Sequence, residues 1–167
     1  MSLDGFIAGP HGEIDWIVAD PDVDFATVYA EFDTVLLGRR TYELTQQPGA
    51  PRWPPGWEVF VVSRTLRPIY NPTVHIIEDD VRSAVTSIRA TPGRDIWLFG
   101  GGVLAASLLE MHLLDTVEVA IMPVVLGGGV PFVSPVAQRA ALRLTRLARS
   151  PSGIVNLQYD ARHVPPI

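Results

Sequence analysis

The 167-residue sequence predicts one α/β domain in which helices cover both faces of a mixed β-sheet, a three-layer αβα arrangement. Short runs that are apolar throughout alternate with segments whose apolar residues recur at helical spacing. This alternation is typical of parallel strands joined by crossover helices. The last third of the chain alternates apolar and polar residues instead, which indicates antiparallel strands. The sheet should therefore have a parallel centre and an antiparallel C-terminal hairpin.

Three apolar runs are predicted to form the parallel strands: VLL at 35–37, VFVV at 59–62 and IWLF at 96–99. None of them is interrupted by polar residues, as expected for strands that are buried on both faces. Apolar residues three and four positions apart predict three helices, at residues 25–32, 81–88 and 104–111. Asp79 or Asp80 is the expected N-cap of the second helix.

The C-terminal strands are predicted from a different pattern. Residues 117–121 and 155–160 alternate between apolar and polar side chains. Residues 141–149 alternate less regularly, which indicates a β-bulge. SPSG at 150–153 supplies a turn, so residues 141–160 are predicted to form a β-hairpin.

Composition excludes several classes of function. The chain has no cysteine, which removes thiolate catalysis and disulfides, and its four histidines lack metal-ligand spacing, so we expect no metal site. A net charge of −5 without a basic cluster argues against nucleic acid or a membrane as the main partner. The first residues do not resemble a signal peptide, so the expected location is the cytoplasm.

The three predicted parallel strands are followed by segments made of glycine, arginine and hydroxyl-bearing residues. The segments are GRRT at 38–41, SRT at 63–65 and GGG at 100–102. Ligands of open α/β sheets bind at this edge, where bare backbone N–H groups, helix N-termini and guanidinium groups suit a pyrophosphate. We therefore predict a phosphate-bearing ligand here. The alternative is that the glycines only permit tight packing between strand and helix.

A second template also matches the glycine run. Gly100, Gly102 and Ala105 satisfy the dinucleotide fingerprint G-x-G-x-x-A, and Glu118 stands near the position of the acidic residue that should follow. However, Glu118 lies in an alternating strand, and the rest of the chain is too short for a second Rossmann half. The Rossmann interpretation is therefore the weaker one.

Five segments, in order, resemble the dihydrofolate reductase superfamily. They are MSLDGFIAGPHGEIDW (1–16), LLGRRTYE (36–43), VVSR (61–64), LFGGG (98–102) and PVVLGGGVPF (123–132). The resemblance is closest to the reductase domain of the bifunctional riboflavin-biosynthesis deaminase-reductase and its stand-alone bacterial relatives. It implies a dihydrofolate-reductase-like fold over residues 1–167 and is compatible with a homodimer.

The resemblance implies NADPH as the cofactor, bound along the strand ends. The cofactor-binding residues that it implies are Ile7, Ala8, Gly38, Arg39, Arg40, Thr41, Ser63, Arg64, Gly100, Gly101, Gly102, Val103 and Leu104. In this assignment Ile7 and Ala8 border the nicotinamide, and Ser63 and Arg64 help to hold the ribose 2′-phosphate.

The glycine run would hold the pyrophosphate, and the resemblance implies a cis peptide bond at Gly100–Gly101. The implied reaction is hydride transfer from the nicotinamide to a C=N or C=O group of a small heterocyclic or sugar-phosphate substrate. In the riboflavin branch that substrate is 5-amino-6-(5-phosphoribosylamino)uracil. The alternative is an NADPH-binding sensor or interaction module without turnover.

Three residues are candidates for catalysis: Asp15, Trp16 and Asp24. Asp15 is a candidate for binding or protonating the substrate, and Trp16 for forming a wall of the pocket; the alternative is an ordinary loop acid and an anchoring aromatic. Asp24, with Asp22, lies near the start of the first helix, where dihydrofolate reductases place the carboxylate that binds the pterin. The alternative for both is helix capping.

Asp4 and a second glycine run have predicted structural roles. Asp4 is expected to hold the turn before Gly5. The second glycine run, at 127–129, follows the apolar segment PVVL. On physical grounds it is a flexible turn, and the resemblance implies that it passes near the nicotinamide.

Overall fold

The computed structural model describes residues 1–18, 20, 23–50, 52–67 and 71–162. The chain forms two compact units. The central unit is Asp24–Ala105, and the terminal unit combines Met1–Val23 with Ala106–Ile167. The predicted α/β fold class is confirmed, because both units contain strands and the central unit alternates them with helices. A single domain over residues 1–167 stays a prediction.

Thirteen elements of secondary structure follow one another in the described residues. In chain order they are β1 (Phe6–Ala8), α1 (Phe25–Ala30), β2 (Phe32–Gly38), α2 (Arg39–Thr45), β3 (Glu58–Val62), β4 (Val74–Ile77), α3 (Val81–Ala90), β5 (Asp95–Gly100), α4 (Gly102–Glu110), β6 (Thr116–Ile121), β7 (Val130–Pro131), β8 (Arg143–Arg149) and β9 (Val155–Asp160). Within the part of the chain that the structure describes, no helix has both the length and the apolar composition needed to cross a bilayer.

The central unit contains a four-stranded parallel sheet in the order β4-β3-β2-β5. Strands β2, β3 and β5 contain the three apolar runs, as the sequence predicts. Strand β4 was not predicted from the sequence because His75 interrupts its apolar run. A polar residue is tolerated there because β4 lies at an edge of this sheet and leaves the His75 side chain exposed.

The core of the central unit forms around β2. Val35 and Leu37 are completely buried, as expected for the middle of a parallel sheet. Strand β3 differs from the expectation because its burial alternates: Val59 and Val61 are buried, and their neighbours along the strand are only half-buried. Trp57, from the proline-rich loop before β3, is 6% exposed and packs in the same core.

The helix boundaries follow capping rather than apolar spacing. Asp80 caps α3 by accepting a hydrogen bond from the Ser83 backbone N–H at 3.1 Å, as predicted. Phe32 is predicted to continue the first helix, but α1 ends at Ala30 and Phe32 begins β2. Its backbone pairs with Asp95, and its ring stacks on Trp97 with 5.3 Å between the centroids. Tertiary packing therefore overrides the helical spacing at this position.

The terminal unit contains the antiparallel strands. β8 and β9 form the predicted hairpin, with the predicted bulge between Leu144 and Arg146, and β6 pairs with β9 on its other side. The short strands β1 and β7 form a separate two-stranded ribbon. The parallel strands of the central unit and the antiparallel C-terminal hairpin of the terminal unit are both as predicted.

Candidate cofactor site

Three of the predicted cofactor segments meet at one edge of the parallel sheet in the central unit. Leu37 pairs with Gly100 across β2 and β5, and Gly38 pairs with Val62 across β2 and β3. The segments that begin at Gly38, Ser63 and Gly100 therefore follow the carboxyl ends of three adjacent strands. This is the edge at which ligands of open α/β sheets bind.

Gly38, Gly100 and Gly101 form a corner without side chains, referred to below as the glycine corner. A Cβ atom built on Gly38 would lie 3.9 Å from the carbonyl oxygen of Gly100 and 4.0 Å from the nitrogen of Gly101. One built on Gly101 would lie 3.4 Å from the Thr41 hydroxyl oxygen. The peptide bond between Gly100 and Gly101 is cis, as the resemblance implies.

Packing does not explain the glycine at position 100. A side chain there would meet open space, with no atom within 4 Å. Its φ of 118° lies in a region that only glycine adopts readily, so the backbone conformation requires it. The interpretation of Gly100 as a pure packing residue is therefore not supported.

Two arginines begin α2 beside the glycine corner. Gly38 is the N-cap of α2 and offers no side chain to the first-turn N–H groups. Arg39 and Arg40 are exposed, and the Nε atom of Arg39 lies 3.7 Å from a carboxylate oxygen of Glu43 one turn later. Both guanidinium groups are thus accessible to an anion that approaches the corner.

Ser63 and Arg64 have different environments after β3. Ser63 is 7% exposed, and its hydroxyl oxygen accepts hydrogen bonds from the backbone N–H groups of Thr65 at 3.1 Å and Leu66 at 2.8 Å. This serine therefore shapes the turn after β3. Arg64 is exposed, and its Nε atom lies 3.5 Å from Asp79 Oδ1, which follows β4.

The start of α4 holds three predicted cofactor residues that differ in exposure. Val103 is 72% exposed, whereas Leu104 is 8% exposed and packs into the interior. Gly102, the first residue of α4, is also buried. A ligand at this helix start can therefore touch the Val103 side chain, and Leu104 would contribute through its backbone alone.

Four of the predicted site residues belong to the terminal unit. Ile7 and Ala8 lie in β1, which pairs with β7 through Phe6–Pro131 and Ala8–Val130. Asp15 is exposed, and the half-buried Trp16 donates its indole N–H to the carbonyl oxygen of Glu13 at 3.0 Å. That hydrogen bond gives Trp16 the anchoring role that the sequence analysis left open as an alternative.

Asp24 caps α1. Its carboxylate accepts hydrogen bonds from the backbone N–H of Ala26 at 3.0 Å and from the hydroxyl of Thr27 at 2.6 Å. The hydrogen bond from Thr27 is the main cause that lowers the pKa of Asp24. The capping alternative is thus realised, and a role for Asp24 in catalysis stays a prediction. Asp22 lies outside the described residues.

Sequence reasoning missed an aromatic surface next to the glycine corner. Leu36 pairs with Leu98 but Leu37 pairs with Gly100, so Phe99 is an extra residue in β5 and remains 43% exposed. Its ring meets Trp53 edge to face, with 4.8 Å between the centroids. The only signal in the sequence is that Phe99 directly precedes the glycine run, and its apolar neighbours made it resemble a buried strand residue.

Comparison with known proteins identifies relatives of the whole chain. The family model described as RibD C-terminal domain matches residues 1–156. The uncharacterized protein YyaP of Bacillus subtilis (strain 168) is 35% identical over 170 residues, which cover 95% of this chain and 90% of YyaP. YwjB of the same organism is 31% identical over 149 residues, which cover 86% of this chain and 84% of YwjB.

Solved structures share the fold at lower identity. A protein from Shewanella sp. PV-4 assigned to riboflavin biosynthesis has a TM-score of 0.84 and 23% identity, covering 98% of this chain and 96% of its own. The diaminohydroxyphosphoribosylaminopyrimidine deaminase/5-amino-6-(5-phosphoribosylamino)uracil reductase of Thermotoga maritima has a TM-score of 0.69 and 18% identity, covering 96% of this chain and 54% of its own. A pyrimidine reductase-like protein from Corynebacterium diphtheriae has a TM-score of 0.70 and 14% identity, covering 98% of this chain and 90% of its own.

Proposed function

The chain belongs to the family defined by the RibD C-terminal domain, and from that premise we propose that it is an NADPH-dependent reductase. Family membership supports an oxidoreductase; the cofactor and the substrate are the proposal. The proposed reaction moves a hydride from the reduced nicotinamide to a C=N or C=O carbon of a small heterocyclic or sugar-phosphate substrate.

The glycine corner beside two arginines is the observation that carries the proposal. A pyrophosphate needs N–H donors and positive charge close to the backbone. Gly100 and Gly38 leave the backbone bare, and Arg39 and Arg40 supply exposed guanidinium groups at the same edge. These residues fit the diphosphate of a dinucleotide, which they would hold by hydrogen bonds and charge.

Arg64 is proposed to hold the 2′-phosphate that distinguishes NADPH from NADH. It follows β3, the strand next to β2, and its side chain is exposed. The carboxylate of Asp79 lies 3.5 Å from its Nε atom, and both side chains are largely exposed, so this ion pair is weak. A phosphate carries more charge than a carboxylate and can accept a forked pair of N–H groups, so it would compete with Asp79 for this arginine.

The substrate is proposed by analogy with the relatives. The Thermotoga maritima protein is named as a 5-amino-6-(5-phosphoribosylamino)uracil reductase, and this compound is the first substrate to try. Asp15, Trp16 and Asp24 are the residues proposed for catalysis. The hydrogen bonds from Thr27 and Ala26 lower the pKa of Asp24, so Asp24 would bind a cationic or N–H edge rather than donate a proton.

The cofactor assignment is tested by fluorescence titration with NADPH and NADH. Arg40→Ala should raise the dissociation constant for NADPH by about tenfold, because a hydrogen bond between charged groups is lost. Arg64→Ala should weaken NADPH more than NADH, since only NADPH carries the 2′-phosphate. Arg146→Ala, which removes an exposed arginine from β8 in the terminal unit, is the matched control. Equal losses for both cofactors would refute the role of Arg64, and no binding of NADPH below millimolar concentration would refute the proposed function.

One observation favours a second candidate, an NADPH-binding protein without turnover. Trp16 and Asp24, two of the three proposed catalytic residues, are engaged in an anchor and a helix cap. This candidate predicts tight binding of NADPH but no loss of absorbance at the wavelength of the reduced nicotinamide with pyrimidine, pterin or carbonyl substrates. Oxidation of NADPH with any of these substrates rules it out.

A further inference from the structure

The second glycine run, in the terminal unit, exposes backbone that packing does not explain. A Cβ atom on Gly129 would overlap the carbonyl oxygen of Ala8, and Gly127 has a φ of 75°, so both positions need glycine for local reasons. Gly128 has neither constraint, because a Cβ there would meet open space and its φ is not in the left-handed region. A glycine without a local reason leaves bare backbone available to a ligand.

Asp4 holds this run from 122 residues away in the chain. Its carboxylate accepts hydrogen bonds from the backbone N–H of Leu126 at 3.1 Å and of Gly127 at 2.7 Å. The Gly5 N–H closes the turn before Gly5 by bonding to the carbonyl oxygen of Ser2 at 3.1 Å. Asp4 supports this turn through its bond to the Ser2 side chain, as expected, and its carboxylate also serves the distant loop.

A buried hydroxyl connects Asp4 to strand β1. Ser2 is fully buried and its oxygen accepts a hydrogen bond from the Phe6 backbone N–H at 2.9 Å. The same side chain bonds to Asp4 and is the main cause that lowers the pKa of the Asp4 carboxyl group. The chain of contacts therefore runs from β1 through Ser2 and Asp4 to Leu126 and the loop.

The loop returns to β1 immediately after the glycines. Val130 pairs with Ala8, and the Phe132 N–H donates to the carbonyl oxygen of Gly5 at 2.9 Å. Gly128 thus lies between two fixed points of the loop: Gly129 and Val130 approach Ala8, and the Asp4 carboxylate holds Leu126 and Gly127. A shift of the loop would be transmitted to Ala8, which is one of the residues proposed to border the nicotinamide.

We propose that Asp4 is a positioning residue for the nicotinamide half of the cofactor, acting through the Leu126–Gly127 backbone and through Ala8. The inference rests on the proposed function, because it takes Ala8 as a cofactor contact. Asp4 itself touches no cofactor atom in this account. Its role is to keep the carbonyl and N–H groups of the loop and of β1 in one arrangement.

The test compares two ligands of the full-length protein. One is NADPH, and the other is 2′-phospho-ADP-ribose, which lacks the nicotinamide. In the wild-type protein NADPH should bind more tightly than the truncated ligand. Asp4→Asn replaces one acceptor by an amide N–H₂ that faces a backbone donor, and it removes the charge. The dissociation constant of the truncated ligand divided by that of NADPH should then fall to about one. Binding of the truncated ligand itself should stay unchanged within about twofold.

Asp80→Asn is the matched control. Asp80 is also an exposed carboxylate that accepts a backbone N–H, but it caps α3 in the central unit. This variant should lose stability without altering the ratio. Asp4→Glu, which keeps the charge, should recover part of the preference, and it also serves as the test variant if Asp4→Asn does not fold. An unchanged ratio in both Asp4 variants overturns the inference.

Hydrogen exchange separates this inference from the proposed function. The amide hydrogens of Leu126 and Gly127 should be protected in the wild-type protein and exchange faster in Asp4→Asn. If the wild-type protein binds neither ligand, the proposed function and the positioning role are both overturned. Faster exchange in Asp4→Asn would in that case show that Asp4 only stabilises the loop. Unchanged exchange at Leu126 and Gly127 would overturn this stabilising role as well.

Discussion

Individual glycines at the two glycine runs are required for different physical reasons. Gly100 is needed for its φ of 118°, and Gly129 for its close approach to the Ala8 carbonyl oxygen. Gly128 is needed for neither. Only the structure separates these cases, because the two GGG segments are identical in sequence.

Substitution of Gly100 should therefore be costly. Gly100→Ala forces a Cβ-bearing residue into a positive φ, which costs about 1–3 kcal/mol of folding free energy. Gly128→Ala meets open space without a positive φ and should leave the free energy of unfolding nearly unchanged. Urea unfolding of both variants measures the difference. Equal stability of the two variants would contradict the account of Gly100.

At the scale of elements, one carboxylate joins β8, β9 and the segment after β9. Asp160 accepts hydrogen bonds from Arg143 Nη2 at 2.7 Å and from Arg162 Nε at 3.1 Å. Arg162 first, and Arg143 after it, lower the pKa of the Asp160 carboxyl group far below its usual range. The last strand of the terminal unit is thus fastened by an ionised group.

This pKa makes the contribution of Asp160 depend on pH. The folded pKa lies below the unfolded one, so the stabilisation is fully present above about pH 5 and is lost as the pH falls below about 4. Asp160→Asn should therefore be less stable than the wild type at pH 7, and the gap should narrow at pH 3. Urea unfolding at several pH values measures this gap. Glu118→Gln, which removes a carboxylate from the same sheet, is the control, and a gap that is as large at pH 3 as at pH 7 would contradict the prediction.

At the scale of the whole molecule, we expect a homodimer, and the surface of β8 is the candidate interface. β8 is an edge strand of its sheet, in the order β6-β9-β8, and its residues Leu144 and Leu147 are 49% and 64% exposed. An exposed edge with apolar side chains favours pairing with a second copy.

Charge on that strand should prevent such pairing. Leu147→Lys should shift the protein from dimer to monomer in sedimentation velocity, because a charged edge opposes strand pairing. Leu44→Lys changes a similarly exposed leucine on α2 in the central unit and should leave the mass unchanged. A wild-type protein that sediments as a monomer at high micromolar concentration would refute the dimer.

The amino-acid pattern determined several of the elements and which residue types stand at their ends. Continuous apolar runs predicted β2, β3 and β5, and the alternating C-terminal third predicted the β8–β9 hairpin with its bulge, because side-chain periodicity reflects burial. The ordered motifs pointed to the RibD C-terminal family and to the glycine and arginine segments at the strand ends. Short-range rules were sufficient for the strands and the hairpin, whereas the family came from the resemblance of the ordered motifs.

Tertiary structure decided which of those residues can meet a ligand. Strand order placed Gly38 and Gly100 side by side, and the bulge in β5 exposed Phe99. The partnership of Asp4 with Leu126 and Gly127 crosses most of the chain. No local pattern encodes it, because it depends on two distant segments being brought together by the packing of all the others.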